Sequence, residues 1–103
     1  MKNLGNMMKQ AQKLQSKMLE MQEELGNRVV TVQVGGGMVE VKANGRQEIT
    51  SLRIDPEVVN PDDTEMLQDL IMAAINDALN RSREMVSEEM AKLTGGMKIP
   101  GLF

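Results

Sequence analysis

Apolar side chains recur at alternating spacings of three and four from the start of the chain: Leu4, Met7, Ala11, Leu14, Met18, Met21 and Leu25. This heptad rule predicts an α-helix over residues 3–25, roughly 33 Å long, with a narrow seam shaped for another helix. Gly26-Asn27 reads as its stop, in the manner of a C-cap. The period then drops to two. Over residues 28–34, Val30, Val32 and Val34 face one way, and Thr31 and Gln33 the other. That is a half-buried strand. Gly35-Gly36-Gly37 supplies a turn, and residues 38–43 form a second strand that buries Val39, Val41 and Ala43 and exposes Glu40 and Lys42. Asn44-Gly45 is a strong hairpin signal, expected as a type I′ turn.

The third strand is expected over residues 46–55, ended by Pro56. Its apolar residues, Ile49, Leu52 and Ile54, slip phase by one between Ile49 and Leu52. Either a bulge sits near Thr50-Ser51, or both faces are partly covered. Helical spacing returns through Leu67, Leu70, Ile71, Ala74, Ile75, Ala78 and Leu79, then Ser82, Val86, Met90 and Leu93, until Gly95-Gly96. Asp62 is the expected N-cap of this second helix, with Glu65 reaching back in a capping box. Its length is about 30 residues, roughly 45 Å.

The expected architecture is therefore α+β, in the order α-β-β-β-α, with two long helices flanking a three-stranded antiparallel meander. Residues 1–96 form a single domain and residues 97–103 a C-terminal tail without periodicity. Three short strands cannot cover two long helices, so the helices must project past the sheet as arms. A chain of 103 residues built this way exposes too much surface to close its core alone, and a second copy is expected to complete it as a homodimer. The two edge strands also invite pairing with another chain.

Composition removes most chemistry. There is no Cys and no His, which takes away thiolate sites, disulfides and the commonest general base. Serines lack a His partner, and Ser16 and Lys17 do not share a helix face. Asp62 and Asp63 are adjacent acids at a helix start, where capping accounts for them. Gly35-Gly36-Gly37 precedes a strand, whereas a phosphate-binding Gly-rich loop opens a helix with Lys-Ser/Thr. No catalytic residue, metal site, cofactor or small-molecule substrate is implied; an enzyme would need its missing catalytic group from a partner. No apolar run is long enough for a membrane span, and no signal peptide is evident, so the chain reads as soluble and cytoplasmic.

The charge pattern is more telling than the net charge of −3. Lys2, Lys9, Lys13 and Lys17 are the only charged side chains among the first nineteen residues; the acids begin at Glu20. Lys9, Lys13 and Lys17 fall at i, i+4 and i+8 and form one row. Like charges so placed repel by roughly 0.2–0.5 kcal/mol per pair, and cations in a first helical turn oppose its dipole. A solvated helix face is the bland account. The functional one is phosphate neutralisation with counterion release. Arg81 and Arg83, within Asn80-Arg81-Ser82-Arg83, form a second cluster, for which pairing with Asp77, Glu84 or Glu88 is the competing account. Phe103 is the only aromatic residue, which disfavours single-stranded nucleic acid, whose bases stack on aromatic rings. Duplex DNA held by its backbone needs only cations on a suitable shape.

Four segments resemble the YbaB/EbfC nucleoid-associated proteins of bacteria: Met7-Met8-Lys9-Gln10-Ala11-Gln12; Ile54-Asp55-Pro56-Glu57 through Pro61-Asp62-Asp63 to Glu65-Met66-Leu67; Ala73-Ala74-Ile75-Asn76-Asp77-Ala78; and Gly95-Gly96-Met97-Lys98-Ile99-Pro100-Gly101-Leu102-Phe103. The resemblance covers essentially the whole chain. It implies a homodimer whose sheets join across the two-fold, with long helices projecting as tweezer-like arms that hold DNA, located at the nucleoid. It implicates both helices, and so Lys2, Lys9, Lys13, Lys17, Arg81 and Arg83. The expected function is non-catalytic binding of double-stranded DNA, mainly through phosphates, with effects on nucleoid organisation and gene expression. The alternative is a prefoldin-like chaperone or adaptor. Its Met-rich helix tips, from a chain with eleven Met, would grip apolar clients.

Overall fold

The computed structural model of the chain describes residues 3–93. Helix α1 (Asn3–Asn27) leads into strands β1 (Val29–Val34), β2 (Val39–Asn44) and β3 (Ile49–Ile54); a short 3-10 turn (Pro56–Val58) precedes helix α2 (Thr64–Leu93). The strands form one antiparallel sheet in the order β1-β2-β3. The expected α-β-β-β-α order and α+β class are what the structure has. The tail at residues 97–103 and Lys2 lie outside the described residues.

The core lies between the sheet and one face of α2. Val32, Val39, Val41 and Ala43 from the sheet are buried against Ala74 and Ala78, with Val30, Val34, Leu70, Ile71 and Ile75 packed around them. Every inward residue expected on β1 and β2 is on that face. Ala74, Ala78 and Ser82 follow one another at i, i+4 and i+8, and all are fully buried. Side chains this small let the helix axis settle close to the sheet. Burying the apolar groups of such a layer supplies the main stabilisation, about 25 cal/mol per Å².

The phase slip in β3 is a bulge. Lys42 pairs with Ser51 and Ala43 with Ile49, so Thr50 has no partner on β2. The extra residue restores phase: Ile49, Leu52 and Ile54 stand opposite Ala43, Val41 and Val39 and share the core face of the sheet. Helix α2 lies mainly over β1 and β2. Leu52 therefore remains 45% exposed and Ile49 39% exposed on a face otherwise built for burial.

Three local expectations need correction. First, the turn after Asn44 is not type I′. Gly45 does not have positive φ; Gln47 does, at 65°. Gln47 N–H donates to the Asn44 carbonyl (3.2 Å) and Asn44 N–H to the Glu48 carbonyl (3.0 Å). This is a turn over Gly45-Arg46 followed by a left-handed residue, the wider hairpin geometry. The Asn44 side chain organises it, accepting from the Arg46 and Glu48 amides (2.9 and 3.1 Å) and donating to Glu48 Oε1 (2.8 Å). β3 consequently starts at Ile49 rather than at 46. Second, Asp63, not Asp62, caps α2: Asp63 Oδ1 accepts from Met66 N–H at 3.2 Å. That puts Glu65 one position too early for a capping box. Asp62 sits in the preceding Asn60–Asp63 turn, where its amide donates to Asn60 Oδ1 at 3.0 Å. Third, Gly26-Asn27 is part of α1, and neither residue is left-handed. The helix is ended by contacts from the β2–β3 turn, described below.

Candidate nucleic-acid interface

Helix α1 leaves the body as an arm. Every described residue from Asn3 to Lys17 is exposed. Burial begins at Met18 and Met21, which are half-covered, and is complete only at Leu25 and Gly26. The free stretch is about 15 residues, or roughly 22 Å. The described chain measures 75 × 20 × 18 Å, with a radius of gyration of 19.7 Å. A compact domain of this length has about 13 Å.

The heptad seam is thus split in use. Its lower half, Met18, Met21 and Leu25, is covered where α1 meets the far end of α2, where Met90 is also buried. Its upper half is open: Leu4, Met7 and Leu14 are 48–62% exposed. Met8 and Leu19 are similarly exposed but lie off the seam, on an adjoining face.

Lys9, Lys13 and Lys17 stand on this free arm. At 100° per residue Lys9 lies almost opposite the seam and Lys13 well away from it, while Lys17, next to Met18, flanks it. They form no ion pair among the described residues. Each step along the row rises about 6 Å. A helix pairing through the seam would leave Lys9 and Lys13 facing outward and Lys17 at the border of the pair.

The arginines are arranged differently. Arg81 pairs with Asp77, Nε to Oδ2 at 3.3 Å, as the competing account expected. Arg83 donates to the neutral Asn80 Oδ1 at 2.8 Å and pairs with neither Glu84 nor Glu88. They flank buried Ser82 and point about 200° apart around the helix. Ser82 is level with the root of α1, so the lysines lie about 13–25 Å further out along the arm. Within one chain the two cationic groups do not converge.

What holds the arm to the body was not among the sequence-predicted residues. Arg46 Nη1 donates to the Gly26 carbonyl (3.1 Å) and to Asn27 Oδ1 (2.9 Å), satisfying the last turn of α1 with a positive charge. A Cβ on Gly45 would overlap the Leu25 carbonyl, and one on Gly26 would crowd the Arg46 side chain at 3.1 Å. Arg28 bridges Glu24 of α1 (3.2 Å) and Glu89 of α2 (3.4 Å). The open polar side of the sheet carries another cation, Arg53, which is mostly exposed and 3.9 Å from Glu40.

The Gly35-Gly36-Gly37 segment is a hairpin turn, as expected. All three glycines have positive φ, and the Gly37 and Met38 amides are spent on the Val34 and Gly35 carbonyls. No cluster of acidic side chains suited to a metal ion occurs among the described residues. No helix there is long and apolar enough to cross a membrane.

Residues 1–97 match the model of the YbaB/EbfC DNA-binding family. The chain belongs to this family. Among curated relatives, a nucleoid-associated protein of Desulforamulus reducens is 62% identical over 101 residues, covering 98% of this chain and 96% of its own. A nucleoid-associated protein of Pelotomaculum thermopropionicum is 58% identical over the same length and coverage. Among solved structures, an uncharacterized protein from Helicobacter pylori is similar, with a TM-score of 0.62 at 28% identity, over 85% of this chain and 98% of that one. The YbaB/EbfC membership agrees with the resemblance read from the sequence. It is a DNA-binding family, and the names of these relatives associate it with the nucleoid.

Proposed function

We propose that this YbaB/EbfC protein is a homodimer that binds duplex DNA without catalysis, through phosphate contacts made by the arms. The observation that carries the reading is the arm itself: a free helix whose lysines have no ion-pair partners among the described residues and lie outside an open apolar seam, Lys9 and Lys13 on its far side and Lys17 at its border. A second copy covers the upper seam and the exposed Ile49 and Leu52 at the β3 edge. The arms of the dimer then present Lys9, Lys13 and Lys17; Lys2 precedes the described helix in sequence. Arg83, free of a carboxylate, adds a contact nearer the body. Arg81 contributes less, because it must first leave Asp77. Backbone contacts of this kind neutralise charge without reading base edges, so affinity is broad across sequences. Coating or bridging of duplex at the nucleoid, with consequences for transcription, follows from such binding.

A second reading is favoured by the exposed Met7, Met8, Leu14 and Leu19, which suit a promiscuous apolar grip on unfolded clients. Salt separates the two. A gel-shift titration against random and palindrome-enriched duplexes at two salt concentrations tests the proposal. Affinity that falls steeply with salt supports it. Binding to a denatured client that persists at high salt, with none to duplex at low salt, favours the grip.

A further inference from the structure

The root of the arm is held by a set of polar contacts distant in sequence. Arg46, at the tip of the β2–β3 turn, places one guanidinium nitrogen on both the Gly26 carbonyl and Asn27 Oδ1. Its stem lies against Gly26, where no side chain fits without crowding it. Gly45 lets the turn backbone approach the Leu25 carbonyl. The turn itself is pinned to α2: Ser82 Oγ donates to the Asn44 carbonyl at 2.6 Å and accepts from Gln47 Nε2 at 2.9 Å. A continuous chain of bonds therefore runs from the middle of α2, through the β2–β3 turn, to the last turn of α1.

We infer that Arg46 is a positioning residue for nucleic-acid binding: by clamping the last turn of α1 it fixes the direction of an arm whose lysines lie about 13–25 Å away. The inference rests on the DNA-binding reading above. In the dimer the seam ties the two arms to each other, but their roots tie the pair to the sheets, so a small angular freedom at the roots becomes a larger displacement at the tips. If the root loosens, the lysines still reach phosphates, but from a wider set of directions. The cost of ordering them then falls on binding. Loss of positioning and loss of a phosphate contact differ in signature. The first lowers affinity at every salt concentration without changing the slope of log K against log salt. The second flattens that slope by about 0.9 per phosphate.

Arg46→Met keeps the stem against Gly26 and removes the donors. Because the chain has no Cys, spin labels at Gln12→Cys and Asn76→Cys, diluted into excess unlabelled protein, read the arm-to-body distance within one chain. The expected result is a narrow distance distribution in the parent and a broad one in Arg46→Met. Duplex affinity falls on the order of tenfold at an unchanged salt slope. Asn27→Ala removes only one acceptor, so it serves as a milder variant with the same trend should Arg46→Met fold poorly. Parent-like affinity, a loss of affinity without broadening, or a flatter slope would each overturn the inference. A parent protein with no salt slope sinks the DNA-binding proposal instead, and the distance measurement still reports on the clamp.

Discussion

The Ser82 hydroxyl donates a 2.6 Å hydrogen bond to the Asn44 carbonyl, joining the middle of α2 to the end of β2 in a fully buried contact. The same oxygen accepts from Gln47 Nε2 at 2.9 Å, which ties down the one non-glycine residue with positive φ among the described residues. A left-handed glutamine is unfavourable by itself. Here its side chain donates to a buried partner, which offsets part of that cost.

Ser82→Ala should therefore destabilise by about 1–3 kcal/mol, because the Asn44 carbonyl and the Gln47 amide lose a buried partner together. Thermal denaturation checks this. A melting temperature within a degree of the parent's would mean that water replaces the hydroxyl at no cost.

Gly45→Ala tests the approach of the turn to α1. The added methyl overlaps the Leu25 carbonyl, so the turn or the helix end must move. The expected loss is about 1–3 kcal/mol, as for overpacking elsewhere. Hydrogen exchange of the Gly26–Arg28 amides should quicken more than that of the β1 and β2 amides. Equal acceleration everywhere would show that the junction is no separate unit.

Most of this fold was legible in the chain. The two periods placed α1, β1, β2 and α2, and the slipped phase at Ile49 and Leu52 offered two readings, of which the bulge, at Thr50, is the one the sheet has. The misses share a cause. Asn44-Gly45 has the composition of a type I′ turn, but contacts with Ser82 and with the end of α1, both distant in sequence, accompany another. Gly26-Asn27 has the composition of a helix stop, but its partners come from the β2–β3 turn. Asp62 and Asp63 are equally good caps by type, and the Asn60–Asp63 turn decides between them. Of the site, the lysine row was legible from spacing and sign. Arg81 and Arg83 read as one cluster in sequence, and the helical period, with buried Ser82 between them, sets them on different sides of α2. The role of Arg46 was not legible, since nothing local distinguishes it from a solvated arginine.

For the proposed homodimer, the open upper seam is the expected contact. Met7→Glu with Leu14→Glu places charge on the seam without touching the core of the chain. Burying a Leu or Met is worth about 1.5–3 kcal/mol, twice over in a symmetric pair. The dimer dissociation constant should rise by at least about 100-fold, seen by sedimentation equilibrium as a shift toward the 11.4 kDa chain. An unchanged mass would place the dimer contact elsewhere, with the β3 edge at Leu52 as the next position to test.

Arg81→Gln breaks an exposed pair with Asp77, which is worth at most about 1 kcal/mol. Stability should barely move, and duplex affinity should fall less than for Arg83→Gln. Anisotropy titrations of the two variants decide the order, and the reverse ranking would show that Arg81 exchanges Asp77 for phosphate readily.

The central claim is that the arm lysines bind DNA by neutralising phosphates, and its most direct test is duplex affinity as a function of salt, measured for the parent and for the Lys9→Gln, Lys13→Gln, Lys17→Gln variant. With about four to six phosphates engaged per dimer, log K against log salt should slope near −4 to −5 in the parent and become clearly shallower in the variant, while the melting temperature holds. A parent slope near zero, or a variant that binds every duplex as the parent does, would contradict it.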